Sequence, residues 1–185
     1  MKITGGQSKG RSLFAPRKII RPTQDQVREA IFNIIGVSFL REAKVLDLFC
    51  GSGSFGIEAL SRGAERVVFV DKNKECLFFV RKNLSIFEEK VKKKVLLLKA
   101  DAFSAIRNLS SGEEKFDLIF LDPPYHKGLG KKGLQALDEY DILTANGLII
   151  VEYFKKENIE PQLTRLSLSN TRQYGDTKVS IFKKP

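Results

Sequence analysis

This chain is poor in the residues that build metal sites and disulfide frameworks. Among 185 residues there is one histidine, His126, and there are two cysteines, Cys50 and Cys76. A single imidazole and two distant thiols make no zinc motif and no disulfide scaffold, so no metal is expected. Two reduced thiols in a cytoplasmic protein is the plain reading. No apolar run approaches the roughly 20 residues that cross a bilayer. The opening MKITGGQSKGR has no apolar signal core, so a cytoplasmic location with no membrane partner is expected. Acidic residues are missing from positions 1 to 24, which carry Lys2, Lys9, Arg11, Arg17, Lys18 and Arg21.

What is present is a globular composition with a basic bias. The 42% apolar content suits one domain that buries roughly 70% of its unfolded surface. Lys and Arg number 32 against 22 Asp and Glu, giving a net charge of +10 and a pI near 9.6. A second basic cluster is Lys90, Lys92, Lys93 and Lys94. Such an excess favours a polyanionic partner, and nucleic acid is the commonest. Lys9 and Arg11 are candidate backbone contacts.

The pattern along the chain is an alternation of strands and helices. Residues 1–22 read as a basic β-hairpin with Gly5, Gly6 and Gly10 as turn signals. From Thr23 the spacing of Val27, Ala30, Ile31, Ile34 and Ile35 is helical, and Gly36 can end the helix. Strands are then expected at 44–49, 66–70, 95–100, 116–121 and 147–152. Helices are expected at 54–61, 72–87, 102–109 and 131–140. A closing antiparallel hairpin is expected over 165–170 and 178–183. Runs such as VLDLF, VVFV, VLLL and LIFL are apolar on both faces, as in a parallel sheet covered by helices on each side. The expectation is an α/β, Rossmann-like, doubly wound and mostly parallel seven-stranded sheet. It carries the hairpin at its C-terminus and the extension of 1–22 before a domain of 23–185.

In such sheets ligands bind beyond the carboxyl ends of the strands. Four successive strand ends carry an aspartate. The first gives Asp47-Leu-Phe-Cys-Gly51-Ser-Gly53-Ser-Phe-Gly56, a G-x-G-x-x-G turn between strand and helix. Asp47, ahead of the glycines, would repel a phosphate and suit an ammonium group, which argues against a nicotinamide dinucleotide. Asp71 ends the second strand, where a carboxylate can accept from the hydroxyls of a ribose. Asp101-Ala102 follows the third and is a candidate contact to an adenine amino group. Asp122-Pro123-Pro124-Tyr125 follows the fourth. Asp71 and Asp101 each have a structural alternative as a helix N-cap. Together the four offer groups for an amine, a ribose, an adenine and a reacting centre, the parts of S-adenosylmethionine.

On these residues the chain resembles the class I S-adenosylmethionine-dependent methyltransferases. More narrowly, it resembles the bacterial 16S ribosomal RNA guanine-N2 methyltransferases of the RsmD type. The resemblance spans ITGGQSKGRSL, IRPTQDQVREAIFNII, DLFCGSGSFGIEALSRGA, VVFVDKN, FDLIFLDPPY and YGDTKVSIF. Gln24, Gln26 and Cys50 depart from that pattern. The resemblance implies S-adenosylmethionine as donor and 16S ribosomal RNA, within an assembled or late-precursor small subunit, as partner. It also places Arg21 and Thr23 near donor and target, with Arg28 beside them. Thr23-x-x-Gln26 reads equally as a capping box.

The chemistry of Asp122-Pro-Pro-Tyr125 follows from its target. An exocyclic amine is a poor nucleophile because its lone pair is delocalised into the ring. Asp122 can accept one N–H and the Pro123 carbonyl the other, while Tyr125 can stack on the base. The motif serves guanine N2 and adenine N6 alike, so a DNA adenine methyltransferase is an alternative. A dinucleotide-binding module without methyl transfer is another.

Overall fold

The computed structural model describes residues 1–16, 24–159 and 161–185. Arg21 and Thr23 fall outside the described residues. Helix α1 covers Gln24–Ile35, and Gly36, at φ +82°, turns the chain into a single turn, α2 (Val37–Leu40). Then follow β1 (Lys44–Leu48), α3 (Ser54–Ser61), β2 (Arg66–Asp71), α4 (Lys74–Leu84), α5 (Glu89–Lys92) and β3 (Val95–Lys99). The second half holds α6 (Ala102–Ser111), β4 (Phe116–Leu121), α7 (Leu129–Tyr140), β5 (Leu143–Phe154), β6 (Ser167–Tyr174) and β7 (Thr177–Lys183).

The seven strands form one sheet in the order β3-β2-β1-β4-β5-β7-β6. Strands β1 to β5 are parallel, and β7 pairs antiparallel with both β5 and β6. The winding direction reverses between β1 and β4, which lie side by side and leave a crevice beyond their carboxyl ends. Successive residues of a strand face opposite sides. Val45, Leu118 and Phe120 therefore pack with Phe32, Ile57 and Val80 on one face. Leu46, Ile119 and Leu121 pack with Ile106, Leu134 and Leu137 on the other. Each face holds its own apolar core, as strands hydrophobic on both sides require.

Besides the unexpected single turns α2 and α5 and a shorter α4, four details differ from the sequence expectation. VLLL in β3 is not covered on both faces: it is the edge strand, and Leu96 is 38% exposed. Strand β5 starts at Leu143 rather than 147, because the chain re-pairs with β4 across a register shift. Strand β6 lies at 167–174 rather than 165–170. Its sequence SLSNTRQY has no apolar alternation, and only its pairing with β7 defines it. Among the described residues of the expected hairpin there is one bridge, Lys2 with Ser12, flanked by backbone bonds between Ile3 and both Gly10 and Arg11.

That N-terminal arm is tied down by charge. Glu58, wholly buried on α3, accepts from the Thr4 amide (2.8 Å), the Thr4 hydroxyl (2.7 Å) and Arg62 (2.8 Å). Arg28 joins the network through Glu58 (3.3 Å), Asp25 (2.9 Å) and the Lys2 carbonyl. Arg28, expected beside the RNA target, is only 1% exposed, and its guanidinium is turned to these three partners. A fully buried cation with three partners is a structural element, and the helical spacing alone gave no warning of it. Among the described residues, no helix is long and apolar enough to cross a membrane.

Candidate active site

The crevice beyond β1 and β4 opens into a cavity of about 380 Å³. Its walls come from Asp47, the loop from Phe49 to Ser52, Asp71, Asn73, Cys76 and the turn of Asp122, Pro123 and Pro124. Phe49 at φ +56° and Gly51 at φ +55° fold the chain sharply after β1. Only glycine adopts that region at little cost. The Gly51 amide donates to Asp71 (3.0 Å), which also accepts from the Asn73 amide (2.8 Å). Asp71 is not the cap of α4, since Asn73 fills that role through the Glu75 amide. The carboxylate instead braces the glycine loop and faces the cavity.

The glycines divide their work. A Cβ on Gly56 would lie 2.3 Å from the Phe69 ring, and one on Gly53 would lie 3.0 Å from both Phe69 and Val80. These two let α3 pack closely against β2 and α4, and neither lies on the cavity wall. The Gly56 amide is also taken, by Asp47 at 2.9 Å. In a dinucleotide fold the first amides of this helix are offered to a pyrophosphate. Here a carboxylate of the chain itself already occupies one of them.

Asp47 is 1% exposed, and burial raises its pKa to about 8. The Gly56 amide pulls it down and the Asp71 charge pushes it further up. No cation neutralises it among its described partners, so the carboxyl suits a positively charged ligand group. Cys50 and Cys76 are both buried free thiols on this wall. Burial pushes both thiols up, that of Cys76 to about 12, so neither is an activated nucleophile.

Other expected residues lie elsewhere. Asp101 caps α6, its Oδ1 accepting from Phe103 (3.0 Å) and Ser104 (3.3 Å). Neither it nor Ala102 is on the cavity wall. The adjacent Phe103 ring meets Phe49, which is, at 6.3 Å in an edge-on contact. Lys9 and Arg11 are exposed on the arm.

Tyr125, expected to stack on the base, is not on the wall of this cavity. Its hydroxyl hydrogen-bonds Glu152 and Thr177, each at 3.0 Å. Burial and the Glu152 charge push the phenol well above its ordinary range, so it stays protonated. The ring borders a second cavity of about 540 Å³, with His126, Phe154 and Tyr174. His126 and Phe154 approach at 4.7 Å between centroids. The same turn thus carries a carboxylate into one cavity and rings into another. Phe154 and Tyr174 were not foreseen as site residues, since nothing local to them signals a ligand.

Comparison with known proteins agrees with this layout. YlbH of Bacillus subtilis is 40% identical over 185 residues, covering 100% of this chain and 99% of that protein. Ribosomal RNA small subunit methyltransferase D of Haemophilus influenzae is 33% identical over 164 residues, covering 88% and 83%. The solved structure of yhhF from Escherichia coli superposes with a TM-score of 0.82 at 28% identity, covering 100% and 97%. The model described as Conserved hypothetical protein 95 matches residues 1–183. The chain belongs to that family, the RsmD family of methyltransferases.

Proposed function

We propose that this enzyme transfers a methyl group from S-adenosylmethionine to the exocyclic N2 amine of a guanine in 16S ribosomal RNA. The observation that carries the reading is one cavity that joins Asp47, Asp71 and the glycine loop to Asp122 and Pro123. Three carboxylates suit a donor with an ammonium end and a ribose diol, and they disfavour a pyrophosphate. S-adenosylmethionine supplies an electrophilic sulfonium methyl when bound. Asp47 faces its ammonium end, and Asp71 receives its ribose hydroxyls while bracing the loop through Gly51. Asp101 is the candidate for the adenine amino group, because both of its capping bonds fall on a single oxygen.

Asp122 and the Pro123 carbonyl do the work on the nucleophile. As acceptors for the two N–H groups of the guanine amine, they draw the nitrogen from planarity and aim its lone pair. The new N–C bond forms as the C–S bond breaks, and one amine proton is lost, with Asp122 placed to take it. Orientation supplies most of the acceleration in such a displacement. The Asp122 carboxylate offsets the charge that grows on nitrogen. The base enters from the aromatic cavity, against the rings of Tyr125 and Phe154. An RNA helix keeps its bases out of reach, so the target is unpaired or splayed out.

The basic surface supports an RNA substrate, and the names of relatives support the small ribosomal subunit, within which an assembled or precursor particle is the expected form. The N-terminal arm contributes RNA contacts through Lys9 and Arg11, both exposed. Incorporation of labelled methyl into 16S RNA or 30S particles from cells lacking the enzyme, followed by nucleoside mass spectrometry, tests the reading. N2-methylguanosine is expected. N6-methyladenine in DNA, or no transfer with donor bound, would overturn it.

A further inference from the structure

Outside both cavities, two aromatic rings stand in solvent where an apolar residue is normally buried. Phe14 is 50% exposed and Phe78 is 58% exposed. Both belong to the outer face of α4, Phe78 as part of the helix and Phe14 as the arm residue laid against it. Lys74, Phe78 and Lys82 recur every four residues, so they share that face. The Lys82 ammonium sits 3.8 Å from the centroid of the Phe14 ring. Arg81 is exposed beside them, and Glu75 is the one acidic residue of the helix.

The exposure of Phe14 is built in. Asn83, 1% exposed, accepts from the Phe14 amide (2.7 Å) and donates to the Phe14 carbonyl (2.8 Å). Its amide nitrogen also donates to the Ser52 carbonyl (3.0 Å). One buried side chain thus ties the arm backbone at Phe14, the helix and the glycine loop together. A ring whose main chain is anchored on both sides loses less freedom when something stacks on it.

Exposed rings interleaved with Lys and Arg are what single-stranded nucleic acid needs. Bases stack on the rings in a sequence-tolerant way, and phosphates meet the cations. We infer that Phe14 and Phe78, with Lys74, Arg81 and Lys82, form a stacking platform for an unpaired stretch of the substrate RNA, separate from the target base. This rests on the RNA methyltransferase reading above. The coupling through Asn83 to Ser52 places that platform at a fixed distance from the donor cavity. Asn83 is a positioning residue in this scheme.

The test is the double variant Phe14→Leu/Phe78→Leu, which keeps apolar bulk and removes both rings. Three quantities are measured: affinity for a fluorescent unpaired RNA oligonucleotide, the KM and kcat for protein-free 16S RNA, and affinity for S-adenosylhomocysteine. The oligonucleotide Kd and the RNA KM should rise about ten-fold or more, a loss typical of base stacking. The kcat and the S-adenosylhomocysteine Kd should stay within about two-fold, which also shows that the variant is folded. An RNA Kd within two-fold of the parent would overturn the platform. So would a loss seen only with 30S particles and not with protein-free RNA, which would assign the patch to a ribosomal protein. If the parent enzyme methylates no RNA at all, the functional reading fails, while the oligonucleotide comparison still decides the platform.

Discussion

The two cavities that meet at the Asp122–Tyr125 turn are made of different material. On the Asp47 side the wall is main chain and carboxylate: the Gly51 and Asn73 amides are held by Asp71, with Asp47 beside them. On the other side it is rings, those of Tyr125 and His126 after β4, Phe154 at the end of β5 and Tyr174 at the end of β6. The first arrangement is fixed by short hydrogen bonds around a tight turn, which suits a ligand with a definite pattern of donors. The second offers flat apolar faces and one anchored hydroxyl, which suits a planar group that must come and go. A methyl donor and a nucleobase differ in this same way.

Substitutions on the two sides should therefore fail differently. The largest effect is expected at the turn itself. Asp122→Ala should lower kcat by about 100- to 1,000-fold, while the S-adenosylhomocysteine Kd changes only a few-fold. Calorimetry and steady-state kinetics on the same preparation check this, and equal losses in both would make Asp122 a structural residue. Next comes the donor side. Asp71→Ala removes two braces and a charge-assisted contact, so the donor Kd should rise about 10- to 100-fold. An unaltered Kd would remove Asp71 from the site.

The ring side should show its loss in RNA parameters instead. Phe154→Ala should raise the RNA KM or lower kcat by about ten-fold, with donor binding unaffected. Tyr125→Phe, which keeps the ring and loses the Glu152 and Thr177 bonds, should cost less than Tyr125→Ala. A reversed order would assign the function to the hydroxyl.

Asp47 separates ligand binding from stability. Its folded pKa, near 8, lies above the ordinary value of 3.8, so the folded protein holds a proton that the unfolded chain releases. Its contribution is therefore increasingly unfavourable as pH rises from about 4 to about 8, and constant above that. Asp47→Asn should raise the donor-free Tm at pH 8 by about 2–4 °C for each kcal/mol relieved, yet weaken donor binding. Binding of the cationic donor at pH 7 should release protons from the parent and not from the variant. Calorimetry in buffers of different ionisation enthalpy reads this directly. The smallest effect is expected from the arm. Replacing Lys9 and Arg11 with Ser should reduce the salt slope of RNA binding by up to about 1.5. An unchanged slope would show that neither residue meets a phosphate.

The donor side was also the legible side. Glycines, strand-end aspartates and the Pro-Pro turn are local signals, and they mark a sheet edge without any knowledge of distant contacts. Helix α3 and strand β4 fall at the expected residues because their apolar spacing is strong and their neighbours are clear. Long-range pairing was not legible. Arg28 looks like one more cation on a helix until Glu58 and the Lys2 carbonyl are seen beside it. The direction of the Tyr125 ring depends on Glu152 and Thr177, 27 and 52 residues away. Strand β6 carries too little apolar pattern to place itself and takes its register from β7.

The docking of the arm has a consequence for the order in which the chain can be assembled. Its first fourteen residues find their partners in Glu58, Ser61 and Asn83, at sequence separations of 54, 53 and 69. During synthesis from the N-terminus, Asp25 and Arg28 of α1 are the first partners to follow, and the Phe14 end of the arm waits for Asn83 on α4. That end is made early and finds its place later. Since Asn83 also bonds the Ser52 carbonyl, the arm and the glycine loop draw on the same partner.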